Sequence, residues 1–116
     1  MKPSHELMSR IAERLKALAD PTRLKILHSL EEGERTVSEI LEEVGGSQAN
    51  VSKHLGIMRR VGILESRREG INVYYRVVDP AAFAVCRSVC DALEQRADSE
   101  RRLLRRAVAS ARRAQP

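Results

Sequence analysis

Apolar residues near the start of the chain fall at helical intervals. Leu7, Ile11, Leu15 and Leu18 repeat every three or four positions, which predicts an amphipathic helix over residues 4–18 with Ser4 as its cap. Asp20-Pro21 restarts the chain, with Asp as cap and Pro at the first helical position. Leu24, Leu27 and Leu30 are the expected buried stripe of this second helix, and Gly33 its end. Thr36-Val37-Ser38-Glu39 reads as a capping box that opens a third helix running to about Val44. Gly45-Gly46 then forces a tight turn, and Ser47 caps a fourth helix running to about Arg60. Two short helices around a glycine turn have the layout of a helix-turn-helix, over residues 36–60.

The fourth helix has two unlike faces. Val51, Leu55 and Met58 form its apolar stripe, bordered by His54 and Val61. His54 reads as a packed structural histidine rather than a ligand. Ala49, Ser52, Lys53, Gly56 and Arg60 lie roughly opposite, and no acid occurs between Ser47 and Arg60. A purely solvated helix more often carries Glu–Lys pairs. A small, polar and positive face suits entry into a DNA major groove.

Past Gly62 the composition changes. Ile63–Arg68 and Ile71–Val77 are rich in Ile, Val and Tyr and predict two strands joined at Glu69-Gly70. This hairpin, residues 63–78, places Arg67 and Arg68 near its tip, where they can reach phosphates. Asp79-Pro80 caps a fifth helix over about 80–97, with Phe83, Cys86, Cys90 and Leu93 along one seam. A last helical segment after Asp98 carries Leu103, Leu104, Ala107, Val108 and Ala111. The helices at 4–18 and 80–113 hold more apolar surface than a winged domain needs, and are expected to form a dimer interface.

Composition narrows the partner. Residues 31–43 are acidic, while 47–78 carry Lys53, Arg59, Arg60, Arg67, Arg68 and Arg76 against Glu65 and Glu69. The formal net charge is +5, and the tail adds Arg101, Arg102, Arg105, Arg106, Arg112 and Arg113. A basic middle beside an acidic segment suggests one side facing DNA. The only rings are Tyr74, Tyr75 and Phe83; single strands are commonly bound by stacking on aromatics, so double-stranded DNA is the better fit. The length of 116 residues fits a single domain, 1–116. Two cysteines are too few for a disulfide scaffold. No apolar run resembles a signal peptide or spans a bilayer, so the expectation is a cytoplasmic protein with no membrane partner. No phosphate-cradling glycine loop, His-Glu-x-x-His or nucleophile–base pair is present, and no enzyme is expected.

Three stretches together resemble the ArsR/SmtB repressors. They are Leu15 to Leu27 around Asp20-Pro21-Thr22-Arg23, Ser47 to Leu64, and the wing from Arg67 to Tyr75. The likeness covers roughly residues 5–95. It implies a mainly α fold with a two-stranded β wing, a homodimeric winged helix-turn-helix, and repression through a palindromic operator. By that likeness Gln48, Ala49, Ser52 and Lys53 fall where the family touches bases and nearby phosphates. With Asn50 and Arg60 on the same helix and Arg67 and Arg68 on the wing, they are the candidate DNA-contacting set. Their chemistry agrees: Gln pairs bidentately with adenine, Ser reads either way, and an Ala methyl meets a thymine methyl.

The family's known sensor sites do not carry over. Its arsenic motif places two cysteines where this chain has Thr36-Val37-Ser38-Glu39. Its zinc-type site on the fifth helix needs a His where Ala81 stands, and no histidine follows His54. Cys86 and Cys90 remain as candidate metal ligands. Four residues apart on a helix, their β-carbons stand about 6 Å apart, beyond the roughly 4 Å of an unstrained disulfide. Two readings stay open. The pair binds a thiophilic inducer such as As(III) or Cd(II), or reacts with reactive sulfur; or both are packing residues, since Cys is readily buried. No cofactor is otherwise expected. A repressor with no small-molecule site, and a winged-helix protein-interaction module, are the alternative functions.

Overall fold

The computed structural model describes residue 2 and residues 4–114. Its elements are α1 (His5–Leu18), α2 (Pro21–Ser29), β1 (Arg35–Thr36), α3 (Val37–Val44), α4 (Gln48–Arg60), β2 (Leu64–Glu69), β3 (Asn72–Val77) and α5 (Ala81–Ala114).

Each of the first four helices starts where a short polar side chain can take a backbone N–H that has no helical partner. Ser4 accepts from Leu7, Asp20 from Arg23 and Ser47 from Asn50. At Thr36 the capping box is complete, with Thr36 Oγ1 accepting from the Glu39 N–H at 3.1 Å and Glu39 Oε1 from the Thr36 N–H at 3.0 Å. Such caps are each worth about 1 kcal/mol. These contacts hold the Asp20 and Glu39 carboxyls below the usual carboxylate range, through the Arg23 and Thr36 backbone N–H groups respectively. Gly45 and Gly46 turn the chain between α3 and α4 at φ +82° and +85°, angles that other residues resist.

The chain divides into two compact units, Met1–Phe83 and Ala84–Pro116. The first has an aliphatic core of Ile26, Leu27 and Leu30 from the second helix, Ile40 from α3, and Val51, Leu55 and Met58 from α4, closed by Ile63 and Leu64. Leu24, expected in that core, is 42% exposed instead. The residues of α2 that turn inward are Ile26, Leu27 and Ser29, so the buried face is rotated away from Leu24. The chain also leaves α2 earlier than Gly33, which sits at φ +146° within the following turn.

The hairpin β2–β3 forms where the Ile, Val and Tyr content predicts, with Leu64 opposite Val77, but Glu69, expected in the turn, is the last strand residue and pairs with Asn72. Its turn is Gly70-Ile71, with Gly70 at φ +63°. The two residues of β1 add a third strand, in the order β1-β3-β2, with Arg35 opposite Tyr75 and Thr36 opposite Tyr74. A two-residue strand has no periodicity to read.

On α1, only Ala17 and Leu18 are buried; Leu7, Met8, Ile11 and Leu15 are each more than 40% exposed. The second unit is the continuation of α5. No break occurs at Asp98: no Gly or Pro interrupts the run, and the pairs Arg96–Glu100 and Asp98–Arg101 bridge the junction. Val85, Val89, Leu93, Leu103, Leu104 and Val108 are exposed along it. No helix among the described residues is long and apolar enough to cross a membrane.

Candidate nucleic-acid interface

The two faces of α4 separate cleanly. Val51, His54, Leu55 and Met58 are buried. Gln48, Ala49, Asn50, Ser52, Lys53, Arg59 and Arg60 are exposed. Spacings of three and four put Gln48, Ala49, Ser52, Lys53, Gly56 and Arg60 on one side of the helix. Gly56 keeps that side low: a β-carbon there would stand 3.6 Å from Arg60 Nη1. Its exposed N-terminal turn also carries the positive end of the helix dipole, which favours an anion there.

Of the two candidate arginines on the wing, Arg68 is exposed, and among the described residues no carboxylate is paired with it. Arg67 is differently placed. Its Nε lies 3.0 Å from Glu34 Oε2 and its Nη1 2.7 Å from Glu69 Oε2, and its Nη2 also bonds Glu34. The guanidinium also lies 4.4 Å from the centre of the Tyr74 ring, its cross-strand partner. The Arg67 hydrogen bonds hold the Glu34 carboxyl below its ordinary range, and Glu34 and Glu69 push the Arg67 pKa up. The structure therefore places both arginines on the wing, but only Arg68 presents its full charge to solvent. Glu34 lies 33 residues from Arg67, so local charge reading finds no sign of this pairing.

Two residues were not among the expected site residues. Ile71 is 99% exposed at the hairpin tip; the rule that two-residue turns favour Gly at the first central position would have put it there. Arg59 reaches from α4 to β2, its Nη1 3.5 Å from Ser66 Oγ.

Cys86 is half-buried and Cys90 exposed. Burial pushes the Cys86 thiol pKa up. Among the described residues, no three His, Cys, Asp or Glu side chains converge on one point.

Comparison with known proteins bears on this surface. The family model for "Bacterial regulatory protein, arsR family" matches residues 20–66, from the cap of α2 into β2. The chain is 46% identical over 69 residues to a probable mercury resistance operon repressor of Streptomyces lividans; the match takes in 60% of this chain and spans 55% of that protein's length. It is 40% identical over 78 residues to an HTH-type transcriptional regulator of Mycobacterium tuberculosis, covering 66% of this chain and 68% of that one. Among solved structures, it superposes on the homodimeric winged helix-turn-helix DNA-binding domain of a Mycobacterium bovis regulator. The TM-score is 0.71 at 35% identity, over 80% of this chain and 93% of that one. These relatives are regulators by name, in line with the expectation that the chain is not an enzyme.

Proposed function

Because this chain belongs to the arsR family of bacterial regulatory proteins, we propose that it is a cytoplasmic repressor that binds a palindromic operator as a homodimer. The observation that carries this reading is the outward face of α4, where Gln48, Ala49, Asn50, Ser52, Lys53 and Arg60 are all exposed without one acid among them. Gln48 and Asn50 offer bidentate pairing to adenine, Ser52 reads donor or acceptor, and the Ala49 methyl suits thymine. Lys53, Arg60 and Arg68 take phosphates and fix the register. Arg67 contributes only after exchanging Glu34 for a phosphate.

The dimer follows from the terminal helices. Leu7, Met8, Ile11 and Leu15 on α1 and Val89, Leu93, Leu103 and Leu104 on α5 are exposed in the single chain. A second copy covers such surface at no cost in new sequence. The Mycobacterium bovis neighbour is described as homodimeric.

The test is selection of duplexes from a random pool by the full-length protein, followed by anisotropy titration at several salt concentrations. Enrichment of an inverted repeat is expected. With Lys53, Arg60 and Arg68 of both protomers each meeting a phosphate, log K should fall with log salt at a slope of about −5. No enrichment, with weak and salt-insensitive binding, would favour a protein-interaction module instead.

A second reading concerns the inducer. Cys86 and Cys90 stand one helical turn apart, one of them open to solvent, and the Streptomyces relative is named for mercury resistance. In this reading the two thiols lose their protons to water, the thiolates bind a thiophilic ion, and the partner copy supplies the third ligand. The ion shifts the dimer off DNA only if it binds the free form more tightly. Release by Hg(II), As(III) or Cd(II), abolished in the C86S/C90S variant, is the expected result. Undisturbed binding would leave a repressor whose cysteines only pack.

A further inference from the structure

One guanidinium ties three helices together beneath the candidate DNA-reading face. Arg23, in the first turn of α2, donates from Nε to Nδ1 of His54 at 3.1 Å. Its Nη1 donates to the carbonyls of Lys16 and Ala17, each at 3.3 Å. Those carbonyls belong to the last turn of α1, where the Lys16 carbonyl also accepts the Ala19 N–H at 3.2 Å. Asp20 in turn accepts the Arg23 backbone N–H at 3.1 Å, so the residue that presents the guanidinium is itself pinned. His54 is 7% exposed and adjoins Ser52 and Lys53 in sequence, which point the other way. What holds His54 therefore bears, with the buried Val51, Leu55 and Met58, on the rotation of α4 about its own axis.

We propose that Arg23 and neutral His54 form a positioning pair that fixes the rotation of α4 for operator binding, a role resting on the DNA-binding reading above. An imidazole accepts at Nδ1 only when its proton is on Nε2. Protonation would put a second donor against the Arg23 N–H and a second positive charge beside it. From α2, Arg23 bears on His54 and is itself held by Asp20. From α1, the Lys16 and Ala17 carbonyls reach this point through Arg23. On its own helix the adjacent Lys53 is exposed. The Arg23 N–H already occupies Nδ1, so the neutral imidazole is the form this geometry accommodates.

Three forms of the full chain test this on the duplex selected by the wild type. H54N keeps an acceptor where Nδ1 stands; H54F keeps apolar bulk without one; R23Q removes the guanidinium. Thermal melts followed by circular dichroism establish that each is folded. At pH 7.5, H54N is expected to bind within about twofold of wild type, and H54F and R23Q about tenfold more weakly, with the larger loss on the selected duplex than on random DNA. Folded H54F or folded R23Q with wild-type affinity would overturn the pair. If H54F does not fold, R23Q decides. An H54N variant that fails to fold also counts against it, because the acceptor would then not be what His54 supplies. Wild type that enriches no duplex overturns the DNA-binding reading and this pair with it.

Discussion

The helices α4 and α5 use their apolar residues in opposite ways. In α4, Val51, Leu55 and Met58 have no measurable exposure, and what remains outside is small, polar or basic. In α5, Leu93, Leu103 and Leu104 are each more than 60% exposed. The first helix is completed by its own chain; the second carries surface that its own chain does not cover. A residue's hydrophobicity therefore has two meanings here. In α4 it marks the side that holds the fold and leaves the other side free for chemistry; in α5 it marks a side left exposed, which the proposed dimer would cover.

Substitutions can separate these meanings. The largest effect is expected at Leu55. L55A should cost about 2–5 kcal/mol of folding stability in urea titration, because it opens a cavity in a close-packed core. L93D should leave the urea midpoint, measured at low protein concentration, little changed, but weaken self-association at least about tenfold by sedimentation equilibrium. Equal loss of folding stability in both variants would break the contrast. A smaller effect tests the caps: T36A should lower stability by about 1 kcal/mol.

Acid should act through the same local contacts. Asp20, Glu34 and Glu39 have folded pKa values below their ordinary ones. Their contribution is thus complete above the ordinary carboxylate range and is lost as pH falls through it toward the depressed folded values. All three are solvent-accessible, so the slope of stability against pH from 6 to 3 should be shallow. The smallest predicted change is at the wing. E34Q frees one partner of Arg67, so DNA affinity should rise about two- to fivefold with a steeper salt dependence; unchanged affinity would mean that Arg67 plays no part.

Much of this was legible along the chain, because the features concerned are local. The caps at Ser4, Asp20, Thr36 and Ser47, the glycine turn and the strand-forming wing each occupy a few consecutive residues. The free face of α4 was legible for the same reason, since one helical period sorts its residues. What escaped depends on distant partners. The charge of Arg67 is offset by Glu34, 33 positions away, and His54 is gripped by Arg23, 31 positions away. Leu24 fits the helical repeat as well as Leu27 does, and only the placement of neighbouring helices decides which of them turns inward. The continuity of α5 through Asp98 was hidden for another reason: Asp often caps a helix, and here it pairs with Arg101 inside one.

The central claim is that two copies of this chain present two α4 helices to one duplex. Hydroxyl-radical footprinting of the selected duplex tests it most directly. The account predicts two protected clusters related by a two-fold axis and centred about one helical turn, or a small multiple of it, apart. It also predicts that L93D protects neither cluster at concentrations where the wild type protects both. A single protected cluster, or full protection by a variant that sediments as a monomer, would contradict it.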